Sequence, residues 1–161
     1  MSLDMFLKLD KIEGDSLDSA HSKQIEITEY GFGMHQQVDL STKGGGGSKA
    51  SFNGISINKY LDKSTPLMMQ ALAKGTLIAT AQITIRKAGG DKPLDYYKIS
   101  LTGVFLEGYR TMPQTADSRP MENWSLAFKS FKVVYQPQDD SGGKDGGEVD
   151  FGWDIVAGKE L

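Results

Sequence analysis

A chain of 161 residues has room for one domain that can bury a core without covalent staples, and the absence of cysteine removes disulfides, thiolate metal sites and a cysteine nucleophile from consideration. A net charge of -3 at pH 7, from 18 basic and 21 acidic side chains, offers no basic footprint for nucleic acid. No segment approaches the ~20 apolar residues that span a bilayer, and residues 1–9, interrupted by Asp4 and Lys8, lack the basic and apolar regions of a Sec signal. The expectation is a soluble protein made in the cytoplasm, with no membrane insertion and with any export by a machine that reads the folded form.

Period two dominates the chain. Leu3, Met5, Leu7 and Leu9 alternate with Asp4, Phe6 and Lys8, the pattern of a strand with one wet face. From Lys23 the apolar set is Ile25 and Ile27, then Tyr30, Phe32 and Met34; this change of phase predicts a bulge near Thr28-Glu29. Gly44, Gly45, Gly46, Gly47 and Ser48 read as a flexible excursion. Ile55 and Ile57 then return to strand alternation.

One helix is signalled over about residues 65–74, with Thr65 as cap, Pro66 in the first turn and Gly75 as the stop. Its apolar residues Leu67, Met68, Met69, Ala71, Leu72 and Ala73 form either an adaptable methionine stripe or a plug for one end of a barrel. Ala79, Ala81, Ile83 and Ile85 follow as a strand, Gly89-Gly90-Asp91 as a hairpin turn, and Tyr97, Ile99, Leu101 and Phe105 as one face of the next strand. Trp124, Leu126 and Phe128 give way to Phe131, Val133 and Tyr135, a second change of phase that predicts a bulge near Lys129-Ser130. Bulges of this kind curve long strands as a small barrel requires.

A glycine and acid loop then leads to a closing strand on Val149, Phe151, Trp153 and Ile155, with Trp153 as a core anchor. Neither a composition shift nor an internal repeat divides the chain, so residues 1–161 read as a single domain.

Candidate chemistry fails on spacing. The run from Gly44 to Lys49 lacks GxxxxGK[ST] and leads to strand residues instead of a helix, and Gly31-Phe32-Gly33 has Gln36 where a dinucleotide fingerprint needs a small residue. The acid loop beginning at Asp139 places Gly143 at a ligand position, Lys144 at the invariant glycine and Asp150 at the bidentate glutamate of a calcium loop, so it reads as a solvated loop. His21 and His35 are unaccompanied by a GxSxG elbow or another nucleophile signature. No cofactor, metal or enzymatic activity is expected.

Several short runs, in order, resemble the hemolysin-coregulated protein (Hcp) family, the tube subunits of bacterial type VI secretion. They are Asp4-Met5-Phe6-Leu7-Lys8, Ile12 and Gly14 with His21 and Glu26, Ser64-Thr65-Pro66, Ile83-Thr84-Ile85-Arg86-Lys87-Ala88-Gly89-Gly90, Tyr135-Gln136-Pro137-Gln138 and Gly152-Trp153-Asp154-Ile155. The resemblance covers essentially the whole chain. It implies a mainly β fold, a two-sheet antiparallel β-barrel with one short α-helix, assembled as a homohexameric ring that stacks into a hollow tube. It also implies a trimeric spike protein, a contractile sheath and small effector proteins as partners, and secretion without a cleaved signal peptide. A chain that stops at Leu161 looks like a bare tube subunit.

Phe6, Tyr96, Val104 and Val134 fall on the nominally polar side of otherwise alternating strands. Such a set either forms a subunit interface or marks strands covered on both faces within one protomer. The run from Gly44 to Ser48 serves ring-on-ring stacking or is an idle loop. Outside the tube reading, a monomeric β-barrel ligand-binding protein and a small enzyme are the alternatives.

Overall fold

The computed structural model describes residues 3–41, 43–44, 46–87 and 93–161; Gly45, Ala88 and the turn expected at Gly89-Gly90-Asp91 lie outside the described residues. In chain order the elements are β1 (Leu3–Leu9), β2 (Ile25–Ile27), β3 (Glu29–Gly31), β4 (Met34–His35), β5 (Val38–Asp39), β6 (Gly46–Gly47), β7 (Ser51–Phe52), β8 (Ile55–Tyr60), α1 (Ser64–Lys74), β9 (Ile78–Lys87), β10 (Asp95–Thr111), β11 (Met121–Ala127), β12 (Ser130–Tyr135), β13 (Val149–Asp154) and β14 (Lys159–Glu160). The fold is mainly β with one short helix, and every ladder between these strands is antiparallel.

One sheet runs β2-β1-β9-β10-β12-β13-β14 and the other β3-β8-β11-β10. The 17-residue β10 belongs to both: its first half pairs with β9 and β12, its second with β11. At the far margin, β2 and β3 are separated only by Thr28, whose backbone N–H donates to Asn58 O at 2.8 Å. At that margin the chain itself passes from the larger sheet to the smaller one.

The two expected bulges are instead corners. Before Thr28 the chain pairs with β1 and after it with β8; likewise β11 pairs with β8 while β12 pairs with β13. A chain that changes sheets must also change which side chains face the core, and this produces the slip in alternation. The register irregularities fall in β10, between Asp95 and Tyr97 and between Leu106 and Gly108. Gly103, at φ 61°, resets the phase of that strand, so Val104 joins Ile99 and Leu101 in the core while Phe105 turns outward. On β9, Ile78 faces in and Ala79 out. The expected core assignments of Phe105 and Ala79 are corrected accordingly.

Side chains fill the barrel. Trp124, Phe131, Leu126, Ile57 and Met68 are fully buried, and α1 packs on β10 with Met68 and Ala71 inward, closing one end. At the other end, Phe32, Phe52, Phe128, Phe131, Phe151 and Trp153 form an aromatic cluster with centroids 5.1–6.4 Å apart. Trp124 is therefore the indole at the centre of the core, and Trp153 is half-buried at its rim.

The helix begins one residue earlier than expected, and its first turn is capped from outside. Ser64 N–H donates to Asp62 Oδ1 at 2.9 Å, and Gly75 ends the helix in the left-handed region. Thr65 is drawn off the cap into a buried polar group, where its hydroxyl donates to Glu122 Oε1 at 2.7 Å.

Candidate functional site

The four candidate interface residues separate into two pairs. Phe6 and Val104 are 3% and 0% exposed within one protomer and present no apolar surface to a neighbour. Phe6 is covered by the loop between β1 and β2: its ring stacks on His21 at 4.3 Å and 13°, and the Arg86 guanidinium lies 5.1 Å above it. Val104 is core because of the phase change at Gly103. For these two, the second of the two readings holds: both are covered within one protomer.

Val134 is half-buried on the outer face of β12, whereas Tyr96, half-buried at the irregularity between Asp95 and Tyr97, packs against the core with Tyr135 edge-on to it at 6.2 Å. The opposite neighbours of Val134 are Lys98 and Asp150. An apolar side chain between charged ones on an open strand face is available for contact.

The run from Gly44 to Ser48 is not a free excursion. Gly46 and Gly47 form β6, paired with Asp39 and Val38 of β5, and below them β4 pairs with β7. Ser48 N–H donates to Gln37 O at 2.9 Å, and Gln36 Nε2 to Ser48 O at 2.6 Å. These contacts make residues 34–52 a two-stranded arm whose outer part exposes Val38 and Leu40.

The histidines and the acid loop have structural partners. His21 is buried, with Nε2 3.0 Å from Asp95 Oδ1 and Nδ1 3.2 Å from Gln24 Oε1. His35 is exposed on β4. Asp139 accepts hydrogen bonds from the Ser141 hydroxyl at 2.6 Å, Ser141 N–H at 2.9 Å and Gly143 N–H at 2.8 Å, and these donors hold its carboxyl below the usual range. Its oxygens are engaged by the loop that carries them.

Two charged clusters were not singled out by the sequence reading. Arg86 pairs with Asp18 and, at 3.0 Å, with Asp4, locking the loop of residues 13–24 to β1 and β9. Lys59 and Glu122 are both fully buried and directly opposite on β8 and β11, with Nζ 2.6 Å from Oε1; Asp62 Oδ1, Thr65 Oγ1 and Tyr60 O each lie 3.0 Å from Nζ. A signal was present: Lys59 continues the inward phase of Ile55 and Ile57, and Glu122 that of Trp124 and Leu126. Opposite charges on two inward phases foretell a buried pair.

The molecule thus offers open faces and an arm, and its buried polar groups serve to brace loops and the helix. Known proteins agree with that picture. The family model described as type VI secretion system effector, Hcp, matches residues 6–135. Protein hcp1 of Pseudomonas aeruginosa is 39% identical over 156 residues, covering 96% of each chain. The chain belongs to the Hcp family of type VI secretion proteins. A solved type six secretion system protein superposes with TM-score 0.93 at 28% identity, over 99% of this chain and all of its own. Hcp1 from Salmonella typhimurium superposes with TM-score 0.82 at 28% identity over the whole of both chains.

Hcp proteins are secreted structural tube proteins, not enzymes, and this chain is a tube protein of that kind. A monomeric ligand-binding barrel finds no support, and the barrel interior is occupied by side chains such as Trp124 and Phe131. Among the described residues no helix is long and apolar enough to cross a membrane.

Proposed function

We propose that residues 1–161 act as one Hcp-like domain, six copies of which close into a ring, and that the rings stack into a hollow tube exported without a cleaved signal peptide. Small effector proteins ride in the lumen, a trimeric spike protein tips the tube and a contractile sheath drives it. The observation that carries this reading is the TM-score of 0.93 to a type six secretion system protein over 99% of the chain. Ring closure requires one patch to meet a different patch on the next copy. Val134, half-exposed on the outer face of the larger sheet, and the exposed part of Tyr96 belong to one of those patches.

Sedimentation velocity tests the proposal. The wild-type chain should run as a hexamer, and Val134→Asp, a substitution at a half-exposed position, should run as a folded monomer with an unchanged circular-dichroism spectrum. A wild-type monomer would overturn the ring; an intact ring in the variant would remove Val134 from its interface.

A further inference from the structure

The largest unexplained apolar exposure is Leu17, 95% exposed at the crest of the loop between β1 and β2. That loop is braced throughout. Gly14 N–H donates to Lys23 O at 2.8 Å, Lys23 N–H to Ser16 O at 2.8 Å and Ser16 N–H to Gln24 O at 3.0 Å. The Asp18 carboxylate, next to the leucine, accepts from Ala20 N–H at 2.9 Å, His21 N–H at 3.1 Å and Arg86 Nη1 at 3.0 Å. A leucine on a slack loop can fold back onto the protein, whereas this one is held out as a knob.

A receptor of matching character lies at the other end of the larger sheet. Met34, Ala50, Phe52, Phe151 and Trp153 line an open groove of about 380 Å³, ample for an aliphatic side chain, in which Met34 is 53% exposed. Strand register places knob and groove apart. Leu17 borders a pocket with Leu3, Asp4 and Arg86. Asp4 is level with Arg86, while Trp153 is level with Phe131, Leu101, Ala81 and Leu9. From Asp4 to Leu9 is about 17 Å along a strand. One protomer therefore cannot join its own knob to its own groove.

Charge matches in the same sense. The loop of residues 13–24 carries Glu13, Asp15 and Asp18 against Lys23, with Asp18 also paired to Arg86, whereas the arm beside the groove carries Lys43 and Lys49 against Asp39, with His35 in the groove wall. Two unlike patches at opposite ends of one chain make a head-to-tail contact that repeats from copy to copy.

We propose that Leu17 of one copy seats in the Met34–Phe52–Trp153 groove of a second copy in the next ring, with the acidic loop against the basic arm. The inference rests on the tube reading and adds the ring-to-ring contact to it. Because the chain has no cysteine, a Leu17→Cys, Met34→Cys double variant gives a clean readout under mild oxidation. The expected result is a disulfide-linked ladder that continues past six chains on a non-reducing gel, absent from either single variant. Leu17→Asp, changed at a fully exposed position, should sediment as hexamers that no longer lengthen into tubes. Hexamers that fail to cross-link, a ladder that ends at six chains, or tubes that persist in Leu17→Asp each overturn this contact and leave the ring standing. A wild-type chain that sediments as a monomer overturns the ring and this contact together.

Discussion

Arg86 does its work through Asp18. The guanidinium is nearly buried over the Phe6 ring, and two carboxylates compensate its charge. The hydrogen bonds from Arg86 to Asp18, reinforced by the backbone N–H groups of Ala20 and His21 and opposed by burial, lower the Asp18 pKa from 3.8 to about 2. A carboxylate depressed in the folded state stabilises fully above its unfolded value. That stabilisation fades as pH falls from about 4 towards the folded value of about 2. Asp18→Asn should therefore cost about 1 kcal/mol near neutrality, a modest figure because Asp18 is 22% exposed and solvent screens the pair. In thermal melts the gap between wild type and variant should close between about pH 4 and pH 2. A gap that stays constant to pH 2 would show that Asp18 acts by packing and not by charge.

Among the elements, the loop between β1 and β2 is as constrained as the strands, and Gly14 shows why. An added Cβ there would stand 2.5 Å from Gln24 O and 2.6 Å from Ile25 Cα, backbone atoms that cannot step aside without moving β2. Gly14→Ala should lower stability by about 1–3 kcal/mol in urea titrations. Gly147→Ala, with open space around the added carbon, should stay within about 0.5 kcal/mol; equal effects at the two sites would refute the close-approach argument. The alternation of Leu7 and Leu9, of Ile55 and Ile57 and of Ile83 and Ile85 made the strands legible from sequence, since period two reports one buried face. The corners at Thr28 and after Ala127 were visible as slips in phase but not as changes of sheet, because a slip does not name the new partner. Phe6 stayed undecided between open and covered for a related reason: the cover over it comes from His21, a polar residue fifteen positions away. The helix was read almost to the residue, but Thr65 lost its cap role to Glu122, a partner that only the fold brings near.

For the whole molecule, the arm of residues 34–52 has the least local justification within its own protomer, and we propose that it serves assembly. A lone two-stranded hairpin is marginal in water, and the outer ladder joins only Val38 and Asp39 to Gly47 and Gly46 while Val38 and Leu40 remain 56% and 88% exposed. Sequence alone made residues 44–48 a loop, because a glycine pair has no side chain with which to announce a strand. A surface on another copy would add the apolar contacts that the arm lacks within its own protomer. Tyr96 and Val134 lie on β10 and β12, outside the arm, so lateral closure and the arm are separable. Deleting residues 44–48 should consequently leave the hexamer intact in sedimentation velocity and abolish stacked tubes in electron micrographs. Tubes of normal length in the deletion would make the arm idle, and loss of the hexamer would move the arm from the stacking contact to the ring interface.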